Sequence, residues 1–188
     1  VSGAANRLLF VAAEAHAPFM PWSDWQLLEG AGEAPNAENW ERATKHRGFS
    51  VIFGDGAGAL VMERSETSGL LAVDLHSDGK HYDQIYIEGG GFRERPYVSP
   101  DMIAAARHVP QMKGRELFKL AGTRLPGSIR AACEKAGGTL NDVDWFLAHQ
   151  ANDRINGAVR AALKLPADKV PSNIARCGNT SGATIPIL

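Results

Sequence analysis

Short apolar runs alternate along this chain with helical and polar stretches, and this alternation limits the possible folds more than any other feature. Runs of strand length lie at residues 8–13, 49–53, 59–62, 70–75 and 143–148. Such runs are typical of strands that are buried on both faces. Strands that alternate with helices predict a layered α/β fold with a mostly parallel sheet.

Two helices are predicted in the second half of the chain. From residue 114 onward, leucines recur at three- and four-residue steps, the spacing of an amphipathic helix. We expect Pro126 to kink or break this helix, because proline lacks the backbone donor that a helix needs. A second apolar stripe follows His149 and runs through Ile155, Val159 and Leu163.

Charge and composition exclude several classes of function. The 188 residues are 44% hydrophobic with a net charge of −1, so one sizeable core is possible and nothing attracts nucleic acid or an anionic membrane. No apolar run approaches the roughly 20 residues that span a bilayer, and the first residues lack a signal-peptide layout. The two cysteines form no disulfide framework. We therefore expect a cytoplasmic protein, and the missing initiator methionine indicates a piece of a longer chain.

His149 and Asn179 are the leading catalytic candidates. His149 follows a predicted strand and precedes a predicted helix, where open α/β sheets bind ligands and where an imidazole donates a hydrogen bond or moves a proton. Asn179 lies between Gly178 and Gly182, and its carboxamide N–H suits an oxyanion hole. For each residue alone a structural explanation stays open, helix-start bonding for the histidine and turn formation for the asparagine.

Two other patterns are weaker as binding sites. The glycine-rich residues 54–58 lack both the dinucleotide fingerprint and a Gly-Lys-Ser/Thr ending, so a tight turn or close backbone packing is favoured over nucleotide binding. His76, Asp78 and His81 lie in a predicted turn without the paired spacing of a metal site, and we expect no metal there.

The cysteines and the cations near the second helix have ordinary explanations as well. Cys177 has no evident activating neighbour, so we expect a small buried thiol and no nucleophile; Cys133, among alanines on a helix, predicts packing. Arg154, Arg160 and Lys164 lie on or beside the face opposite the apolar stripe. From spacing alone, a solvated helix face and a docking surface for an acidic partner both remain open.

Three strings in order resemble one family of condensing enzymes. Residues 53–59 are FGDGAGA, residues 149–152 are HQAN followed by Arg154 and Ile155, and residues 178–183 are GNTSGA. Together they are similar to the FGDGAGA, HQANxRI and GNTSxA motifs of ketoacyl-acyl-carrier-protein synthase III. The likeness spans nearly the whole chain except residues 18–46, which look longer than in short bacterial members.

The resemblance implies a thiolase-like fold, layered αβαβα and incomplete in this chain, usually in a homodimer. Residues 1–66 would be the end of the N-terminal half, with an insertion at about 18–46, and residues 67–188 most of the C-terminal half. The family's last helix and strands are expected beyond Leu188.

The resemblance also implies a Cys–His–Asn triad that joins an acyl-CoA primer to malonyl-acyl-carrier protein with loss of carbon dioxide. His149 and Asn179 match two members of the triad, whereas the cysteine is expected upstream of Val1. We therefore expect an acyltransferase of fatty-acid or polyketide synthesis that is inactive as this chain alone. Coenzyme A or phosphopantetheine thioesters would be substrates, with no further cofactor.

Further residues are assigned by the same likeness. Asn152 would contact the pantetheine arm, and Arg47 would lie near the coenzyme A entrance. The tunnel would be lined by Met112, Gly114, Phe118 and Ala151. Carrier-protein docking would fall to Arg154, Lys119 and Arg160, which favours the docking interpretation for Arg154.

Two alternatives stay open. The first is a non-catalytic subunit that binds acyl or pantetheine groups and has lost the cysteine, although the presence of both His149 and Asn179 argues against it. The second concerns Trp22, Trp25 and Trp40 in the insertion. Their large apolar surfaces should pack against something, either the acyl channel or partner subunit, where they would select the primer, or the loop itself.

Overall fold

The computed structural model describes residues 4–16, 36–67 and 69–188. The strands in these ranges are β1 (Arg7–Glu14), β2 (Gly56–Glu63), β3 (Ile85–Tyr86) and β4 (Gln111–Met112). The α-helices are α1 (Ala37–Thr44), α2 (Arg47–Ser50), α3 (Pro100–Ala104), α4 (Gly114–Lys135), α5 (Asp153–Leu163), α6 (Ile174–Cys177) and α7 (Thr184–Ile187). Short 3-10 turns lie at Gly79–Gln84, Gly91–Arg93, Leu140–Asp142, Ala167–Lys169 and Ser181–Ala183.

β1 and β2 form a long antiparallel ribbon, which confirms the strands predicted at residues 8–13 and 59–62. Arg7 pairs with Glu63 at one end and Glu14 with Gly56 at the other. β3 and β4 pair in the same antiparallel sense. The expectation of a mostly parallel sheet is therefore wrong for the described residues, where the parallel contact is an isolated bridge between Phe53 and Asn179.

Three other predicted strands are also wrong. Residues 47–50 form α2, in which the Ser50 N–H donates to the His46 carbonyl at 3.0 Å. This turn buries Phe49, and its ring lies 4.7 Å from that of Phe53, which follows the helix. The apolar segments 70–75 and 143–148 have no assigned strand, since neither finds a neighbouring strand to pair with in the described part of the chain.

α4 is one helix of 22 residues with Pro126 buried inside it, so the predicted break is also wrong. Proline removes a single donor, the one that would reach the Gly122 carbonyl, and beyond Pro126 the helix packs against α5. Arg130 of α4 donates to the Ala162 carbonyl at 2.9 Å. α5 confirms the second predicted stripe, with Val159 and Leu163 buried.

Asp74 ties the segment before the first 3-10 turn to α4. Its carboxylate, only 7% exposed, accepts hydrogen bonds from Lys135 Nζ at 2.6 Å and Ser128 Oγ at 2.6 Å, and His76 Nε2 lies at 2.7 Å. The bonds from Lys135, then Ser128 and then His76, hold the pKa of this carboxyl below its usual range. No helix among the described residues has both the length and the apolar character to cross a bilayer.

Candidate active site

His149 lies in the short loop that leads into α5. Asn152 begins this helix by accepting the Arg154 N–H on its Oδ1 at 2.9 Å. The His149 carbonyl accepts the Ala151 N–H at 3.0 Å. The loop is thus folded by its own polar groups, as expected for an N-capped helix.

The environment of His149 favours the neutral imidazole. The residue is open to solvent on one side, yet burial of its ring lowers the pKa from 6.5, because a charged ring loses hydration there. At pH 7 such a ring carries one N–H donor and one bare nitrogen acceptor. It is therefore able to donate a hydrogen bond to a carbonyl oxygen that gains negative charge.

Asn179 is held from both sides by backbone bonds and is only 7% exposed. Its N–H donates to the Ile52 carbonyl at 2.9 Å, and its carbonyl accepts the Gly54 N–H at 3.0 Å. The side-chain Oδ1 accepts the Ser181 N–H at 2.9 Å, so turn formation, the structural explanation, does account for that oxygen. The bond also fixes the amide orientation and leaves Nδ2 as the group that donates.

The glycine-rich segment supports Asn179 by close packing, as the sequence indicated. A Cβ added at Gly54 would lie 2.0 Å from the Cys177 carbonyl oxygen, and one at Gly56 would lie 3.0 Å from Thr180 Cγ2. At Gly58 it would meet Pro186 Cβ at 2.6 Å. Gly54 makes room for the backbone just before Asn179. Gly56 and Gly58, on one face of β2, make room for the loop and helix that follow it.

Four residues, which we call the polar junction, connect the two candidate loops: Gln150, Ser172, Asn173 and Thr184. The Gln150 N–H donates to Thr184 Oγ1 at 3.0 Å. Gln150 Oε1 accepts from Ser172 Oγ at 2.8 Å and from the Asn173 N–H at 3.3 Å. Gln150 has no exposed surface and Thr184 is buried, whereas Asn173 is half-buried and Ser172 is exposed. The junction therefore extends from the interior beside His149 to the surface.

Sequence reasoning missed two residues at the end of β1 that contact the same region. Glu14 Oε1 accepts the Gly182 N–H at 3.1 Å, in the loop that carries Asn179. The His16 N–H donates to Asp55 Oδ1 at 2.6 Å, and its ring stacks on Phe53 with 4.8 Å between centroids. The available signal was a pair of polar residues directly after an apolar strand.

The residues assigned to the pantetheine tunnel lie in two separate segments of the chain. Met112 ends β4, Gly114 begins α4, and Phe118 lies one turn further along, 40% exposed. A Cβ at Gly114 would touch only Met112 Cε, at 3.9 Å. Ala151 and Asn152 belong to the His149 loop, and Asn152 Nδ2 is left as a donor because Oδ1 caps α5.

The residues assigned to carrier-protein docking differ in exposure and in orientation. Lys119 and Arg154 are exposed, whereas Arg160 is half-buried and lines an apolar groove with Trp145 and Phe146. Arg154 and Arg160 are six positions apart in the sequence, which turns their side chains about 120° apart on α5. Arg47 begins α2, but its side chain lies outside the described residues.

The remaining candidates are the two cysteines, the possible metal ligands and the tryptophans. Cys177 is the last residue of α6 and is half-buried, at the helix end that disfavours a thiolate, and Cys133 is half-buried on α4. Among the described residues, no group of three or more potential metal ligands comes together. Trp22 and Trp25 lie outside the described residues, whereas Trp40 lies on α1 and is 58% exposed.

Models of known families match the first and the last part of the chain. A family model described as 3-oxoacyl-acyl-carrier-protein (ACP) synthase III matches residues 1–79, and a second, described as the C terminal of the same synthase, matches residues 133–188. His149 and Asn179 fall inside the second match. Met112, Gly114, Phe118 and Lys119 fall between the two.

Relatives extend the match across that gap. A beta-ketoacyl-acyl-carrier-protein synthase III of Cereibacter sphaeroides is 38% identical over 99% of this chain and 49% of its own length. One from Acaryochloris marina is 40% identical over 86% of this chain and 47% of its own length. A crystal structure of the Thermus thermophilus enzyme has a TM-score of 0.75 and 33% identity, covering 99% of this chain and 50% of the other. The chain spans about half the length of the curated relatives it matches.

Proposed function

The chain belongs to the 3-oxoacyl-acyl-carrier-protein synthase III family, and from this premise we propose that it supplies the histidine and asparagine of a Cys–His–Asn condensing site. The carrying observation is that buried hydrogen bonds join the loop of His149 to the loop of Asn179. Each of these residues keeps an N–H that is able to donate. Two convergent donors are what a developing enolate oxygen requires.

The proposed reaction moves charge onto that oxygen. A malonyl thioester loses its carboxylate as carbon dioxide when the bond between the carboxyl carbon and the α-carbon breaks. The electron pair forms an enolate, whose oxygen accepts hydrogen bonds from His149 and Asn179. The α-carbon then attacks an acyl-cysteine, the carbon–sulfur bond breaks, and the cysteine leaves as a thiolate. In this proposal the nucleophile is neither Cys133 nor Cys177, so this chain provides the decarboxylating side of the site.

A neutral His149 suits this role. The lowered pKa keeps the ring uncharged at pH 7, and an uncharged donor polarises the thioester without the cost of a buried cation. The substrates of the proposal are an acyl-CoA primer and malonyl-acyl-carrier protein, held by Asn152 and the tunnel residues. We also propose a cytoplasmic homodimer.

The test uses the full-length protein in two half-reactions. His149→Ala and Asn179→Ala should each slow malonyl decarboxylation by roughly 100-fold or more, as when an oxyanion donor is removed. Acylation of the cysteine by acyl-CoA should continue. His81→Ala and Asn141→Ala, in 3-10 turns away from the two loops, are matched controls.

Two results would count against the proposal. Equal loss of both half-reactions would mean that the substitutions damage the whole site. A wild-type protein that binds acyl-CoA without decarboxylating malonyl thioesters would favour the non-catalytic subunit instead.

Carrier-protein docking is tested separately. Arg154→Glu should raise the KM for malonyl-acyl-carrier protein and leave the KM for malonyl-CoA unchanged, because only the carrier protein presents an acidic surface to an exposed cation. Lys164→Glu, at the other end of α5, is the control. An equal change in both KM values would show that Arg154 acts on the thioester itself.

A further inference from the structure

Gln150 holds the backbone on both sides of His149. Its Nε2 donates to the Ala148 carbonyl at 3.0 Å, in the peptide unit that precedes the histidine. Its own N–H, in the peptide unit that follows, donates to Thr184 Oγ1 at 3.0 Å. With both peptide planes fixed, the φ and ψ angles of His149 are set, and only side-chain torsions remain to aim the imidazole.

Thr184 carries the same constraint to Asn179. It is 3% exposed and is the first residue of α7. The turn before it is closed by the Ala183 N–H, which donates to the Thr180 carbonyl at 3.0 Å. Asn179, one residue earlier, is fixed by Ile52 and Gly54. The buried hydrogen bond between Gln150 and Thr184 therefore links the loop of His149 to the turn that follows Asn179. The bond between Gln150 and Asn173 adds a second link through α6, which precedes Asn179.

The bond between Gln150 and Thr184 is costly to disturb because both residues are shielded from water. A buried N–H without an acceptor loses its hydration and gains nothing in return, so a missing Thr184 hydroxyl favours movement of residue 150 toward another acceptor. His149 is bonded directly to that peptide unit. Displacement of a reacting group by about 1 Å is enough to slow a reaction roughly 100-fold.

We infer that Gln150 and Thr184 are positioning residues that set the placement of His149 relative to Asn179. Neither residue is assigned to touch the substrate. The inference rests on the proposed function only in that this placement governs decarboxylation; the hydrogen-bonded link itself is a property of the fold.

The test compares two substitutions of one side chain in the full-length protein. Thr184→Val keeps the shape and removes the hydroxyl, and we expect the kcat for malonyl decarboxylation to fall roughly 10- to 100-fold. Thr184→Ser keeps the hydroxyl that accepts from Gln150 and should stay within about threefold of wild type, because the buried N–H keeps its acceptor. Cysteine acylation and the KM for the malonyl thioester should not change in either variant.

A matched control and a substitution at a second position test whether the effect is specific to this hydrogen bond. Thr123→Val also removes a hydroxyl, one bonded to carbonyls of its own exposed helix turn, and should leave both half-reactions unchanged. Gln150→Met removes the whole side-chain network and should lose decarboxylation selectively. If Gln150→Met does not fold, the pair of Thr184 variants still decides.

Three outcomes would overturn the inference: wild-type decarboxylation in a folded Thr184→Val, equal loss in the valine and serine variants, or parallel loss of acylation and melting temperature. The ring resonances of His149 provide a readout that needs no activity, and they should move in Thr184→Val and not in Thr184→Ser. If the wild-type protein fails to decarboxylate, the proposed function falls, whereas unchanged His149 resonances would refute the positioning role.

Discussion

The polar junction and the β1–β2 ribbon invert the usual distribution of side chains. In the junction, two polar residues are buried: Gln150 has no exposed surface, and Thr184 has 3%. In the ribbon, apolar residues are exposed, with Leu9 at 65% and Val61 at 70%. Soluble proteins normally bury the second kind of residue and expose the first.

The difference shows which contacts fix each region. The hydrogen bonds of the junction join residues between 148 and 184, so the geometry beside His149 depends on a few directional contacts. The ribbon is ordered by its backbone ladder, and its side chains contribute little to that order. The candidate site should therefore be sensitive to small changes, whereas the ribbon should tolerate them.

The largest effect that tests this contrast is expected at Gly54. In Gly54→Ala the new Cβ would lie 2.0 Å from the Cys177 carbonyl oxygen, so the backbone beside Asn179 must move, and we expect a loss of about 3 kcal/mol or more in the free energy of unfolding. Gly157→Ala, where nothing lies within 4 Å, should stabilise α5 by about 0.5–1 kcal/mol. Urea unfolding measures both. A neutral Gly54→Ala would mean that the two backbones are not in contact.

The next effect compares one substitution in the two environments. Val159→Thr places a hydroxyl at a site on α5 that is 7% exposed and should cost about 1–3 kcal/mol. Val61→Thr, on the exposed ribbon, should stay within about 0.5 kcal/mol of wild type. Urea midpoints at constant m-value give the difference. Equal losses of stability in the two variants would contradict the contrast between junction and ribbon, because Val61 would then be buried.

A third prediction concerns the ion pair that holds the apolar segment 70–75 near α4. Because Lys135 and Ser128 lower the pKa of Asp74, its contribution to stability is fully present above the unfolded value of about 3.9. It is lost as the pH falls through the lower folded value. Asp74→Asn should therefore melt below wild type at pH 7, and the gap should shrink in acid.

Asp83→Asn is the control for this prediction. Asp83 pairs with Lys113 on the surface, so its contribution should be smaller and should disappear in 1 M salt, where charges are screened beyond about 3 Å. A gap between Asp74→Asn and wild type that grows as the pH falls would contradict the assignment.

The sequence predicted the two longest described helices and the strands of the ribbon better than it predicted how the strands pair. The stripe through Val159 and Leu163 predicted α5, and the apolar runs at 8–13 and 59–62 predicted β1 and β2. The run at 49–53 failed because Phe49 and Phe53 pack four residues apart on one side, an arrangement that a continuous apolar run does not distinguish from a strand. The runs at 70–75 and 143–148 failed because pairing depends on a neighbour that local pattern does not specify.

In the candidate site, too, local features were predicted and contacts between distant residues were not. His149 and Asn179 were identified from motifs, and the close packing at Gly54 was predicted from composition. The Gln150–Thr184 bond was not, because it joins residues 34 positions apart and no periodicity marks such a contact. Glu14 was missed for the same reason, since its partner Gly182 is 168 positions away.

The smallest effect is expected at the far end of α5, where the influence of the junction should end. Lys164 has φ 55°, and its N–H and that of Leu165 close the helix on Ala161 and Arg160, the pattern in which glycine is preferred. Lys164→Gly should be about 1 kcal/mol more stable than Lys164→Ala, because only alanine keeps the Cβ that strains this conformation. Against wild type the gain should be nearer 0.5 kcal/mol, since a cation at a helix C-terminus is lost. Thermal unfolding gives both values, and malonyl decarboxylation should not change. Altered decarboxylation in the glycine variant would show that α5 transmits strain along its length to His149.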